Sequence, residues 1–302
     1  MQRYPASFLV RLPRQGLLRI LTTLLLLLSL AQTGQAAGKP RPVQIAITPC
    51  TEILKTFKEY QPLAAYLERQ LHQPVKLVIP KDFPEFERLI KEGGVEFAFQ
   101  APHTYVRLAH FYNREMLLKA LTPEGATKHR GVIIVRKDSP LQRIEDLKGK
   151  SVIFGAENDM AKSLSAKRLL AAKGVTPDKD LRGYEHDGSC ESIALNVFLK
   201  TADAGAVCDY SFKNINEPEN NAESEIPPKQ LRILGRTEEI PTWVFAARTG
   251  VDAKLITRIN EALTALSPKK HEEILEAAEV GGFVKAKDSD FDEIRKFVPM
   301  AR

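Results

Sequence analysis

"SVIFGAENDMAKSLSAKRLLAAKGV", Ser151–Val175, is the stretch whose reading decides the fold. Ser151–Phe154 has strand character, Gly155 turns the chain, and an amphipathic helical pattern follows as far as Lys173. A strand that feeds directly into such a helix is the repeating piece of an α/β sheet. The first N–H groups of the helix have no partner within it, and at a turn of this kind they point outward, where they suit a negatively charged ligand. The turn is therefore a candidate site as well as a fold signal.

The same alternation extends to both sides. Upstream, "PVQIAIT", "FKEYQPLAAYLERQL", "VKLVIP", "FPEFERLIKEG", "VEFAFQ" and "TYVRLAHFYN" read as βαβαβα. The order then resets with "RGVIIVRKDSP", "SVIFG", its helix, "DLRGYEH", "CESIALNVFLKT" and "ADAGAVCDY". A polar, proline-containing loop, "NINEPENNAESEIPPKQ", precedes "LRILGRTEEIPTWVFAART" and the helical "DAKLITRINEALTAL". Two α/β units follow, each a mostly parallel sheet flanked by helices. The expected division is residues 43–128 plus 239–302 for one lobe and 129–238 for the other, with a ligand cleft at the hinge.

The amino terminus sets the compartment. Arg3, Arg11, Arg14 and Arg19 precede or border an apolar run from Ile20 to Ala31, and "GQAAG" offers small residues for cleavage after Ala36 or Ala37. This is the pattern of a secretory signal peptide, residues 1–36, too short in its apolar part for a comfortable membrane span. No cysteine stands where a lipid anchor would need one, so the expected location is the periplasm. Without the four arginines the chain holds 40 basic against 38 acidic residues, a formal +2 in place of +6. So balanced a surface carries no nucleic-acid footprint, and "SPKKHEEILEAAEV" reads as a solvated helix face.

The strings "VIIVRKDSPLQRIEDLKGKSVIFGAEN", "KGVTPDKD", "ADAGAV" and "IPTWVFAAR", with "YQPLAAYLERQLHQPVKLVIPKDFPEFERLIKEGGVEFAFQAPHTYV" before them, resemble the phosphonate-type periplasmic solute-binding proteins of ABC transporters. The resemblance covers nearly all of the chain beyond the signal. It implies the two-lobed type II periplasmic binding fold, closure on a ligand by hinge motion, an ABC permease or a membrane sensor kinase as partner, and a monomer without a cofactor. The chain departs from the family's pattern where ligands bind. The family's Ser-Thr-Ser-Gly turn is replaced by Asn158, Asp159, Met160 and Ala161, an aromatic position by Gln100, and a histidine position by Cys190.

Residues singled out for the ligand are Cys50, Gln100, His103 and Tyr105 from the first lobe, and Arg130, Asn158, Asp159, Met160, Cys190 and Asp209 from the second. Arg130 is the expected oxyanion partner, because a guanidinium can fork onto two oxygens. Asp159 or Asn158 also suits a helix N-cap, and a carboxylate there competes with an anion for the same amides. Cys50, Cys190 and Cys208 all fall at strand or helix ends expected to face the cleft. They read either as a thiophilic site, for a ligand such as arsenite presented to a sensor kinase, or as a disulfide with one odd thiol. Trp243 falls at the return crossing, where it either covers ligand or fills the hinge. The sequence "HDGSCES" raises a Cys190–His186 hydrolase, but it has no companion oxyanion loop or orienting residue, and no metal motif is present. A binding protein for a phosphate- or phosphonate-type oxyanion is the expected function, and not an enzyme.

Overall fold

The computed structural model describes residues 41–49, 52–217, 225–296 and 298. The signal-peptide reading and Cys50 lie outside those residues. The strands in chain order are β1 (Val43–Ile47), β2 (Val75–Val78), β3 (Phe97–Gln100), β4 (Leu117–Leu121), β5 (Lys128–His129), β6 (Gly131–Arg136), β7 (Ser151–Phe154), β8 (Gly183–His186), β9 (Ala204–Cys208), β10 (Leu231–Arg236), β11 (Ile240–Pro241), β12 (Val244–Ala247) and β13 (Gly282–Ala286). They form a six-stranded sheet of order β13-β4-β12-β3-β1-β2, a five-stranded sheet of order β10-β6-β9-β7-β8, and a two-stranded ribbon.

Both sheets are mixed rather than mostly parallel. β1 pairs in parallel with β2 and β3, and β7 with β8 and β9. β12, β4 and β13 extend the first sheet by antiparallel pairing, as β6 and β10 do the second. The reason is the chain's route. β12 returns from the other sheet and enters beside β3 from the opposite end, so the parallel βαβ pattern cannot continue across it. The two crossings, at Lys128–His129 and Ile240–Pro241, pair with each other as the ribbon.

Helix periodicity places the cores. The helix Ile53–Leu71 buries Tyr60, Leu63, Ala64, Leu67 and Leu71, one stripe at spacings of three and four. That stripe packs with Ile45, Ile47, Phe97, Phe99, Ile256, Ile259 and Leu263 on one face of the first sheet. The helix Phe83–Glu92 starts where Asp82 accepts a hydrogen bond from the Glu85 N–H at 2.8 Å and stops at Gly93, whose φ is 81°. In the second sheet Ile133, Val135, Val152, Phe154, Ala204 and Ala206 pack under Ala166 and Leu170. No helix among the described residues is long and apolar enough to cross a membrane.

Candidate functional site

The turn after β7 is built around two glycines that admit no side chain. A Cβ at Gly155 would lie 2.4 Å from the Lys162 Cβ, and one at Gly131 would lie 2.2 Å from the Ala161 carbonyl oxygen. With both absent, the turn packs tightly on β6, and the Gly155 N–H donates to the Lys162 carbonyl at 3.0 Å. The expected long helix begins as a wide π-turn, Met160–Ser165, before the regular helix Ala166–Ala172. Such wide turns recur at functional sites because they re-aim backbone groups and side chains. Asp159 is the cap here, its carboxylate accepting from the Lys162 N–H at 2.7 Å.

Beside this turn is a cavity of about 180 Å³, lined from both sheets. The first sheet and its helices supply Thr48, Lys55, Glu59, Tyr60, Phe99 and Trp243, with Glu279 from the carboxyl-terminal region. The second supplies His129, Asn158–Lys162, Gly188–Glu191, Cys208, Tyr210 and Ser211. Trp243 packs against Phe99 at 5.2 Å, and Phe99 against Tyr60 at 5.7 Å, which gives the first-sheet wall an aromatic surface. His129 faces Tyr210 at 5.8 Å across the other wall.

The charges lining the cavity are mixed. Lys162, only 8 % exposed, donates from Nζ to the Gly188 carbonyl at 2.7 Å and lies 3.6 Å from the Asp159 carboxylate. It thereby ties the β7 turn to the turn ahead of the helix Cys190–Phe198. That helix is capped by Ser189, which accepts from the Ser192 N–H. On the opposite wall Lys55 is 3.8 Å from Glu59. Burial, then repulsion from Glu279, raises the Glu59 carboxyl above its usual range. One end of the cavity thus carries an ammonium and two capped helix starts, the other two carboxylates that repel each other, with the Lys55 ammonium beside one of them.

The residues read from sequence separate into three groups. Asn158, Asp159, Met160 and Cys190 line the cavity. Gln100, His103 and Tyr105 are buried beside it or behind it. Gln100 accepts from the Tyr112 hydroxyl at 3.1 Å, and Tyr105 donates to Asp288 at 2.5 Å while packing on Phe291. Tyr105 is a core residue because the helix Pro102–Leu108 turns that face inward. His103 is 6 % exposed, and burial lowers its pKa to about 4. Arg130 and Asp209 line a separate cavity of about 290 Å³. The Arg130 guanidinium pairs with Glu239 at 2.5 Å, and Asp209 accepts from the Arg130 and Tyr210 N–H groups, so both are engaged within the protein and neither is in the lining of the first cavity. The Cys190–His186 pair does not form. His186 meets Gly155 O at 2.5 Å and Lys167 at 3.2 Å.

Sequence reasoning missed Lys162, Thr48, Glu59 and Glu279. Thr48 follows the β1 strand directly, and the rule that ligands collect beyond the carboxyl ends of strands would have reached it. Lys162 sits in an amphipathic pattern where a lysine reads as solvent-facing. Nothing local marks Glu279, which is brought in by a left-handed residue position, φ 52°, at the end of its helix.

Two sheets joined by a two-stranded crossing, with a cavity lined from both, define a two-lobed solute-binding protein. Residues 45–291 match the family of phosphonate periplasmic substrate-binding proteins of ABC transporters, and the chain belongs to that family. It resembles the phosphate-import protein PhnD of Mycolicibacterium smegmatis, 24% identical over 76% of this chain and 73% of that protein. It also resembles the tetrathionate sensor histidine kinase TtrS of Salmonella typhimurium, 27% identical over 69% of this chain, but spans only 37% of the kinase's length. Among solved structures, a binding protein component of an ABC phosphonate transporter from Pseudomonas aeruginosa superposes with a TM-score of 0.68 at 17% identity, over 85% of each chain. The PhnD1 protein of Prochlorococcus marinus in complex with methylphosphonate gives 0.67 at 17% identity, over 85% of this chain and 98% of that one. These likenesses show the type II periplasmic binding fold.

Proposed function

We propose that the chain captures a small oxyanion of the phosphate or phosphonate type in this cavity and delivers it to an ABC permease. Residues 43–128 plus 239–302 and residues 129–238 act as two lobes that close about the β5–β11 ribbon. The observation that carries the reading is the cavity itself, lined from both sheets and holding Lys162 between two capped helix starts. Closure is favoured only by contacts that the ligand makes better in the closed form, and a ligand bridging Lys162 and the Trp243 wall meets that condition. The Glu59 and Glu279 carboxylates suit a cationic group on the far end of the ligand. No catalytic role is part of this reading.

Thermal unfolding of the full chain with phosphate, methylphosphonate and 2-aminoethylphosphonate tests it. A ligand that binds only the folded form raises the melting temperature once its concentration exceeds Kd. The largest shift is expected with the aminophosphonate. No shift with any of the three would sink the reading.

A second destination has support of its own in the similarity to the sensor kinase. In that reading the loaded protein presents its ligand to a membrane histidine kinase, and the closed shape is the signal. Co-purification with a permease or with a kinase, in the presence and absence of ligand, separates the two.

A further inference from the structure

Cys190 and Cys208 meet at the cavity wall. Cys190 opens the helix Cys190–Phe198, Cys208 ends β9 in the middle of the second sheet, and the Cys208 N–H reaches the Cys190 Sγ at 3.5 Å. Both cysteines are free and buried, and both line the cavity. Ser211 hydrogen-bonds the Cys190 thiol, and Tyr210 that of Cys208. The oxyanion reading assigns no task to a thiol pair in this place.

The two sulfurs differ in character. The hydrogen bond from Cys208, with the Lys162 ammonium nearby, holds the Cys190 thiol below its ordinary range against the opposing effect of burial. The same hydrogen bond and burial push Cys208 well up. Cys190, at a helix N-terminus that favours the thiolate, is therefore the more readily deprotonated of the two, and Cys208 the one that holds its proton more firmly.

We propose that Cys190 and Cys208 are a redox-active dithiol of the ligand cleft, Cys190 attacking and Cys208 resolving, which small disulfide-class oxidants convert to a disulfide. The Cys190 thiolate attacks one sulfur of R–S–S–R, forms Cys190–S–S–R and expels RS⁻. The Cys208 sulfur, giving up its proton, then attacks the Cys190 Sγ and expels the second RS⁻. The Cys208 proton ends on one of the two expelled thiolates, so two protein sulfurs are oxidised and the oxidant's two are reduced. Closure removes the negative charge facing Lys162. Resting on the oxyanion reading above, the oxidised cleft binds oxyanions more tightly than the reduced one.

The test uses the full chain carrying Cys50→Ser, so that the third thiol does not intervene, with hydroxyethyl disulfide as probe. Under native conditions the chain is expected to lose two hydrogen atoms by mass and to regain them with dithiothreitol. Adding Cys208→Ser should trap the probe as a mixed disulfide on Cys190, and adding Cys190→Ser should slow the reaction about tenfold or more. Peptide mapping after brief exposure without either further substitution locates the first adduct even if a variant folds poorly. Two thiols persisting in the folded chain, at a probe concentration that oxidises the unfolded chain, overturn the proposal, as does a first adduct on Cys208. Phosphate and methylphosphonate are then compared by thermal shift on both redox forms. A larger shift in the oxidised form supports the coupling, and equal shifts overturn it. An absence of shift in both forms counts against the oxyanion reading alone, because the mass measurement decides the dithiol independently.

Discussion

Two sets of polar groups in this chain are handled in opposite ways. Behind the first sheet, Tyr105, Asp288 and Arg295 satisfy one another. The tyrosine donates to one oxygen of Asp288, Arg295 donates to the same carboxylate, and Arg295 donates again to the Asp288 carbonyl and to Asp292. Elsewhere, by contrast, buried polar atoms lack partners among the described residues: Gln100 Nε2, His103 Nδ1, His129 Nδ1, Ser163 Oγ and Ser165 Oγ, of which His129 lines the cavity. Leaving such groups unpaired costs stability that a purely structural core would not give up. The first cluster is closed on itself, and the second leaves polar atoms open, His129 among them at the cavity wall.

The largest expected effect is on pH dependence. Burial holds His103 at about 4, below the ordinary 6.5, so between these values the unfolded chain binds more protons than the folded one. Stability is then complete above pH 6.5 and falls as the pH drops toward 4, by about 3 kcal/mol for this group. His103→Asn should flatten the acid limb of a melting-temperature profile between those values. An unchanged limb would place the acid sensitivity elsewhere, with His129, whose pKa burial also lowers, as the next group to replace.

The satisfied cluster should respond differently. Asp288→Ala strands the buried Tyr105 hydroxyl and leaves Arg295 with Asp292 and the backbone carbonyl alone, and is expected to cost about 2 kcal/mol in chemical denaturation. Ligand-induced thermal shifts should be untouched. A lost shift would show that the cluster supports the cleft and would break the contrast drawn between the two regions.

Lys162→Met keeps most of the side-chain volume but removes the ammonium that bridges Asp159 and Gly188. Loss of one charge-assisted contact is worth about 1.5 kcal/mol, so binding of the responding oxyanion, measured by calorimetry, should weaken about tenfold. Equal affinity would move the anion to another part of the cavity. Ser163→Ala is expected to be the smallest change, within about 0.5 kcal/mol of the parent, because the hydroxyl it deletes has no hydrogen-bond partner among the described residues.

Part of the cleft was legible because it follows backbone rules. Asp159 as a cap, the outward-facing turn, and Cys190 at a helix start all come from local spacing, and each is found lining the cavity. Tyr105 and Arg130 show where those rules end. Both stand at plausible strand or crossing positions, yet the partners that claim them, Asp288 and Glu239, are 183 and 109 residues away in the chain. Pairings at such separations leave no local pattern.

The sequence by itself determined the α/β alternation, the return crossing at "IPTWVFAAR" and the family, because hydrophobic period and turn chemistry act over a few residues. Tertiary structure alone decided that the sheets are mixed, that Lys162 turns inward, and that Cys190 and Cys208 share one wall. Those outcomes depend on which strand enters beside which, and on two glycines letting a turn approach a neighbouring strand at backbone distance. No stretch of chain contains that information alone, since the energy that fixes it resides in contacts between segments far apart.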